Sequence, residues 1–335
     1  VEDVVLSSIP ELATRLKLSA KDAKILLEEA SKTICSLDGL CRTMLDVDSL
    51  RLPLLSTHDA VLDDLLHGGF HPGLTEIYGK SGSGKSQLAL QLSAVAAAPV
   101  EHGGLGTGCL YIATEQPFPI GRFHEIIASR FPDLDSSIVL DRTHIIHIRD
   151  HETQHHILCH LLEPSVKRLG VRLVVIDSIA ANIRGDEATA EWTAIERSRT
   201  LYEMGAALKK VAHEHQCVIL CLNQVVDVFD NVRQGAKLGG GKGADSFLTV
   251  SGAVGAGNAS DVRPSLGLAW SNMVNARVKL SRINRFPAHA EECNAVLDAD
   301  TTRACVTRTF EICFAPNLPS RKCIYEVSER GIVGL

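Results

Sequence analysis

The chain has 335 residues, of which 34 are Lys or Arg and 40 are Asp or Glu, so its formal net charge is −6. This balance excludes a protein that is held on nucleic acid by bulk positive charge. With 45% hydrophobic and 22% charged residues, the chain can bury a core and is not of the disordered class. The ten cysteines are scattered without a C-x-x-C pair, which indicates reduced thiols. No apolar run is long enough to cross a bilayer, so we expect no membrane partner.

The first 45 residues have helical periodicity and predict a small helical domain. Apolar residues recur at three- and four-residue steps, and Ser19 is positioned to cap the second helix. Because the chain opens on Val1 rather than Met, we expect this domain to be truncated. Residues 46–57 are predicted to form a linker that contains one short extended segment.

Residues 58–335 alternate between strand-like and helical segments, which predicts an α/β domain. The strands are expected at 74–78, 109–114, 173–177 and 217–225, and the helices at 85–98, 121–130 and 191–215. The runs at 173–176 and 218–222 are continuously apolar. Strands of this kind are covered on both faces, so the central sheet is expected to be mainly parallel.

The character of the chain changes after residue 225. Eight glycines lie between residues 235 and 257, so we predict a long glycine-rich loop over 226–264. Further strands are expected at 275–283, 307–314 and 323–327, as antiparallel pieces at the edge of the sheet.

The strongest motif is GKSGSGKS at residues 79–86, which matches G-x-x-x-x-G-K-[ST] between a predicted strand and helix. In such a loop the glycines let backbone N–H groups surround phosphates, and the helix N-terminus adds positive potential. Lys85 would contact the β- and γ-phosphates, and the Ser86 hydroxyl would bind Mg²⁺. The predicted nucleotide-binding residues are Gly79, Lys80, Ser81, Gly82, Ser83, Gly84, Lys85, Ser86 and Gln87.

Three polar residues lie at or just after the ends of predicted strands and complete the constellation of a nucleoside triphosphatase. Asp177 is suited to hold the metal, and Glu115 is the candidate that activates or orients the attacking water. Gln224 is positioned to sense the γ-phosphate. The alternative is a solvated loop glutamate and a capping glutamine. With Lys85, the residues Glu115 and Gln224 form the predicted catalytic set.

These motifs, taken in order, resemble the eukaryotic branch of the RecA recombinases. The resemblance is carried by the phosphate loop, Thr114-Glu115, LVVIDS at 173–178, LNQV at 222–225 and GIVG at 331–334. Three shorter segments, at 102–105, 111–119 and 266–272, look most like one accessory paralogue that mediates homologous recombination. The resemblance implies a RecA-type core that binds ATP with Mg²⁺ and has weak DNA-dependent ATPase activity. It also implies that Arg122 stacks on adenine.

The resemblance further implies action in the nucleus, with some protein in the cytoplasm, and a heterodimer with another recombinase paralogue that loads or stabilises recombinase filaments on single-stranded or branched DNA. Departures from the family pattern favour a heteromer over a self-filament. The self-assembly segment has Leu40 and Thr43 where the family has Phe and Ala, and Phe314 replaces an acidic residue that caps ATP. The turn at 16–19 lacks glycine, which argues against DNA binding by the N-terminal domain.

The glycine-rich loop is the predicted place for DNA. Residues 226–289 contain eight Lys and Arg against four Asp, and Arg233, Lys237 and Lys242 are the candidates for contacts to phosphate. The alternative is a solvated insertion. The histidines at 151, 155, 156 and 160 have a spacing that could present metal ligands, but surface histidines are favoured. Two alternative functions stay open at this point, an interaction scaffold that holds ATP as a structural ligand and a RecA-type helicase.

Overall fold

The computed structural model describes residues 7–34, 54–185, 192–227, 262–264, 266–285 and 305–335. The chain divides into two compact units, Val1–Pro53 and Leu54–Leu335. The domain boundaries at 45 and 58 remain predictions. Within the described residues, no helix is both long and apolar enough to cross a membrane.

The described part of the first unit contains two helices, α1 (Ile9–Leu16) and α2 (Ala20–Ile34). At the start of helix α1 the Ser8 amide donates to Glu11 Oε2 at 3.5 Å, which is one half of a capping box. The Ser19 hydroxyl accepts a hydrogen bond from the Asp22 amide at 3.1 Å, so Ser19 caps α2 as predicted. Leu12 and Ala23 are buried between the helices.

The second unit is built on a nine-stranded sheet with the order β11-β10-β9-β8-β1-β5-β4-β2-β3. The strands are β1 (Gly73–Tyr78), β2 (Cys109–Ala113), β3 (Thr143–His147), β4 (Leu173–Asp177), β5 (Val218–Asn223), β8 (Ala276–Arg285), β9 (Cys305–Phe314), β10 (Lys322–Ser328) and β11 (Gly331–Gly334). A separate antiparallel pair joins β6 (Val225–Asp227) to β7 (Val262–Pro264).

Helices cover both faces of this sheet. In chain order they are α3 (Ala60–Leu65), α4 (Lys85–Ala97), α5 (Ile120–Arg130), α6 (Ser136–Asp141), α7 (His151–His156), α8 (Leu162–Leu169), α9 (Ala181–Gly185), α10 (Ala194–Glu214) and α11 (Gly267–Ser271), with a π-helical turn at Ile157–Leu161. One core cluster includes Leu88 and Phe123, and the other includes Met204 and Trp270. The predicted α/β class is confirmed.

The sheet corrects three details of the sequence prediction. Strand β8 pairs parallel with β1, from Thr75 opposite Ala276 onward, so only the ladders from β8 to β11 are antiparallel. The strand predicted to end at residue 225 ends at Asn223, because Val225 pairs in the separate β6–β7 ladder. Strand β3 was not predicted, since its sequence THIIH has polar ends and only two apolar residues.

Candidate nucleotide-binding site

The phosphate loop connects the end of β1 to the start of α4, in a conformation that requires glycine. Gly84 is the N-cap of α4 at a φ of 102°, and Gly82 has a φ of 72°, both in the region that disfavours L side chains. A Cβ on Gly79 would lie 2.1 Å from the carbonyl oxygen of Leu280. The loop therefore presents bare backbone at the N-terminus of a 13-residue helix, which is the arrangement that binds phosphate.

Lys85 lies inside this loop. Its Nζ donates hydrogen bonds to the carbonyl oxygens of Gly79 at 2.8 Å and Lys80 at 3.2 Å. Burial lowers the pKa of Lys85, and the nearby carboxylates of Asp177 and Glu115 oppose that shift. The ammonium is thus placed as a point charge within the loop, where it can pair with a phosphate.

Ser86 and Asp177 meet at the carboxyl edge of the sheet. The Ser86 hydroxyl donates to Asp177 Oδ2 at 2.8 Å, and the Tyr111 hydroxyl donates to the same oxygen at 2.7 Å. Burial raises the pKa of Asp177, and Glu115 adds to the rise while the bonds from Tyr111 and Ser86 oppose it. A hydroxyl and a carboxylate beside a phosphate loop are the hard oxygen ligands that Mg²⁺ prefers, so this donor set fits the predicted metal.

Glu115 and Gln224 are joined directly, although they are 109 residues apart in the sequence. Gln224 Nε2 donates to Glu115 Oε1 at 2.8 Å and to Oε2 at 3.0 Å. The Ser178 hydroxyl also donates to Oε1, at 2.5 Å. Ser178 is in turn held by Thr114, whose Oγ1 accepts from the Ser178 amide at 2.7 Å. The sequence prediction missed Ser178 and Tyr111, and the only available signal for Ser178 was its position directly after Asp177.

Arg122 lies on α5 beside the loop, with its guanidinium held on three sides. It donates to Gln87 Oε1 at 2.7 Å, to Glu125 Oε2 at 2.8 Å and to the carbonyl oxygen of Ser328. A cavity of about 490 Å³ opens here, lined by Gly82, Gly84, Gln87, Arg122, Arg308 and residues 327–329. The cavity connects the predicted adenine-contacting arginine with the phosphate loop, which is the layout that a nucleotide requires.

Several predicted residues lie elsewhere. Arg233, Lys237 and Lys242, together with Leu40 and Thr43, fall outside the described residues. Phe314 is 54% exposed at the end of β9. The histidine prediction is wrong for His151, which is buried against the ring of Trp192, whereas His156 and His160 are exposed.

Among the described residues, the one group of three or more side chains that could hold a metal does not include those histidines. It consists of Glu163, Glu214 and His215. The Nζ of Lys210 lies 2.9 Å from Glu163, so a cation already balances this acidic pair.

Comparison with known proteins identifies the same family that the order of the sequence motifs resembles. The Rad51 family model matches residues 50–262. The chain is 30% identical over 348 residues to the mouse (Mus musculus) DNA repair protein XRCC3, an alignment that covers 100% of this chain and 92% of the relative. It is 30% identical over 302 residues to the DNA repair protein XRCC3 homolog of Arabidopsis thaliana, covering 83% and 92%.

A fission yeast protein is also similar. The DNA repair protein rhp57 of Schizosaccharomyces pombe is 27% identical over 359 residues, covering 97% of this chain and 91% of that protein. The mouse and fission yeast alignments extend over nearly the whole chain, and together with the family model they confirm the resemblance inferred from the motifs, and with it a RecA-type core. The chain therefore belongs to the Rad51 family.

Proposed function

We propose that this protein is an ATP-binding recombinase paralogue that assists homologous-recombination DNA repair as a subunit of a heteromeric complex. The observation that carries the proposal is the paired network at the carboxyl edge of the sheet, with Ser86 on Asp177 and Gln224 on Glu115. Both pairs lie beside the phosphate loop, and the relatives are named as DNA repair proteins.

Each residue has a distinct part in nucleotide binding. Residues 79–84 supply backbone N–H groups, and Lys85 neutralises phosphate charge. Ser86 and Asp177 would hold Mg²⁺, which when bound neutralises phosphate charge and orients the triphosphate. Arg122 would contact the base, a use that suits a planar guanidinium.

Hydrolysis is assigned to Glu115, with Gln224 as the residue that responds to the γ-phosphate. The hydrogen bonds from Gln224 and Ser178 occupy both carboxylate oxygens of Glu115. These bonds occupy three of the roughly four acceptor sites of a carboxylate, so a water that Glu115 activates would compete with Gln224 for it. This competition supports slow hydrolysis, and it would link the residue after β5 to the chemistry.

The same observation favours a second candidate, in which ATP is a structural ligand and the protein is an interaction scaffold. In that case the Glu115–Gln224 pair is a permanent contact, and only nucleotide binding matters. A single substitution distinguishes the two candidates. Replacing Glu115 by Gln removes the carboxylate that hydrolysis needs while the shape of the site is retained.

The test compares Lys85→Ala with Glu115→Gln in cells that lack the endogenous protein. Lys85→Ala is expected to abolish both nucleotide binding and repair. An active ATPase predicts impaired repair in Glu115→Gln, whereas unchanged repair identifies the scaffold. Lys167→Ala, which removes an exposed lysine on α8, a helix that packs in the other core cluster from α4, is the charge-matched control. If Lys85→Ala supported normal repair, nucleotide-dependent function would be refuted.

The proposed partners are another recombinase paralogue, the recombinase filament and single-stranded or branched DNA, and the proposed place of action is the nucleus. The DNA contact is assigned to Arg233, Lys237 and Lys242. The complex purified from its native source is expected to have the mass of a heteromer and to bind single-stranded DNA more tightly with ATP. Absence of ATP-dependent DNA binding would remove that part of the proposal, and processive duplex unwinding by the protein alone would identify a helicase instead.

A further inference from the structure

A row of three side chains crosses the antiparallel half of the sheet next to the phosphate loop. Arg282 on β8 lies directly opposite Arg308 on β9, and Arg308 lies directly opposite Tyr325 on β10. Residues that face each other across antiparallel strands point to the same side of the sheet, with Cβ atoms about 5 Å apart. The order along the row is therefore Arg282, Arg308, Tyr325.

Both ends of the row contact the phosphate loop. The Tyr325 hydroxyl donates a hydrogen bond to the carbonyl oxygen of Ser83. At the other end, Nη1 of Arg282 lies 3.0 Å from the position that a Cβ on Gly82 would occupy. Arg308, between them, lines the cavity that also contains Gln87 and Arg122.

Among the described residues, no acidic side chain forms an ion pair with either arginine of this row, and Arg282 is exposed to solvent. Like charges directly opposite each other on neighbouring strands destabilise a sheet. Neither Arg282 nor Arg308 has an ion pair or side-chain hydrogen bond within the described part of the chain, and the Nε of Arg308 is buried without a hydrogen-bond partner there. A buried donor of this kind carries an energetic penalty until an acceptor reaches it.

We propose that Arg282 and Arg308 form an arginine pair that binds the phosphates of the nucleotide from within the same chain. This inference rests on the proposed function, since it concerns the same site. Guanidinium groups match phosphate oxygens in geometry and in charge, and the pair adds two positive charges to the one that Lys85 supplies. Tyr325 positions the loop against the pair by holding the Ser83 carbonyl.

The test measures the affinity of the full chain for ATP and for adenosine, with fluorescent ATP as the probe and unlabelled adenosine as competitor. Arg308→Gln and Arg282→Gln are each expected to weaken ATP binding about tenfold, because each removes charge-assisted hydrogen bonds to phosphate. Adenosine lacks phosphate, so its affinity is expected to stay within twofold of wild type. Arg308→Lys should recover part of the ATP affinity. The control is Arg321→Gln, which removes an exposed arginine between β9 and β10.

Three outcomes would refute the proposal that the two arginines bind phosphate, and each points to a different explanation. Equal loss of ATP and adenosine affinity would show that the arginines shape the cavity without binding phosphate. Unchanged ATP affinity together with weakened binding to single-stranded DNA would assign them to nucleic acid. If the wild-type chain and both variants bind ATP equally well, the proposal of an arginine pair is refuted while the proposed function stands. If the wild-type chain does not bind ATP, the proposed function fails with it.

Discussion

Glu76 is a fully buried carboxylate in the middle of the central sheet, and Arg277 is its counter-charge. Glu76 lies on β1, between β5 and β8. Its Oε2 accepts from Arg277 Nε at 2.6 Å, and its Oε1 accepts from Asn223 Nδ2 at 2.6 Å. Arg277 also donates to the Ser271 hydroxyl at 3.0 Å. Glu76 and its partners Asn223 and Arg277 therefore join the three adjacent strands β1, β5 and β8, close to where β1 leads into the phosphate loop.

We predict that Arg277→Met destabilises the protein by about 3 to 5 kcal/mol. Methionine keeps most of the packing volume but leaves a carboxylate that is 0% exposed without its counter-charge. Only the Asn223 hydrogen bond then remains among the contacts given above. Since about 1.4 kcal/mol corresponds to a tenfold change in an equilibrium constant, the folded-to-unfolded ratio is expected to fall by at least about a hundredfold.

The measurement is urea unfolding of wild type and variant, followed by the fluorescence of Trp270, whose side chain is fully buried in the same unit. The double variant Glu76→Gln/Arg277→Met separates the charge from the packing. A neutral amide needs no counter-charge, so the double variant is expected to be more stable than the single one. Arg199→Ala, which removes the exposed ion pair with Glu203, is the control and should leave the midpoint unchanged.

Two results would refute this reasoning. A loss below about 1 kcal/mol in Arg277→Met would mean that the buried carboxylate does not depend on its counter-charge. A double variant no more stable than the single one would show that the loss comes from packing or from the Ser271 bond instead.

Four further substitutions test other parts of the fold. Gly104→Ala is expected to destabilise the protein by about 2 kcal/mol or more, because the added Cβ would lie 2.0 Å from a backbone carbonyl oxygen. Gly121→Ala, whose Cβ would have no atom within 4 Å, should stabilise helix α5 by about 0.5 to 1 kcal/mol. The urea midpoints of the two variants test both predictions. Burial, followed by the charge of Arg130, lowers the pKa of His58 below 6.5, so the unfolded chain binds the proton more readily and stability falls as the pH drops through 6.5. His58→Gln should therefore reduce the stability lost between about pH 7.5 and 5.5, and an unchanged pH profile would contradict this. Tyr325→Phe leaves a buried carbonyl without its hydroxyl donor, at about 1 to 2 kcal/mol, and is expected to lower both the urea midpoint and the ATP affinity; a variant equal to wild type in both would refute the positioning role.

The sequence predicted the α/β class because its signals are local. Continuous apolar runs mark β4 and β5, and the pattern G-x-x-x-x-G-K-[ST] marks the turn from β1 to α4. The strands it missed have no such local signal. Strand β3 (Thr143–His147) has only two isoleucines, flanked by histidines, and β11 has only four residues.

Long-range pairing was beyond the sequence pattern. Residues 275–281 alternate between apolar and polar side chains, which is typical of an antiparallel strand with one solvated face, yet this strand pairs parallel with β1. Glu76 was an anomaly of the same kind, since its partners are 147 and 201 residues away. A charged residue in an otherwise apolar strand indicates a buried partner without identifying it.

The candidate site shows the same division between what is local and what is tertiary. Glu115 and Gln224 were each assigned to the γ-phosphate from their places after neighbouring strands, but the hydrogen bonds between them depend on the register of β2, β4 and β5. In the sequence, Arg282 is only one positive charge among several near the glycine-rich loop. Its position opposite Arg308 exists only once β8 and β9 are paired. Charge that appears diffuse in the sequence is thus concentrated by strand register beside the phosphate loop, which is why the arginine pair is a structural inference and its variants are the direct test of it.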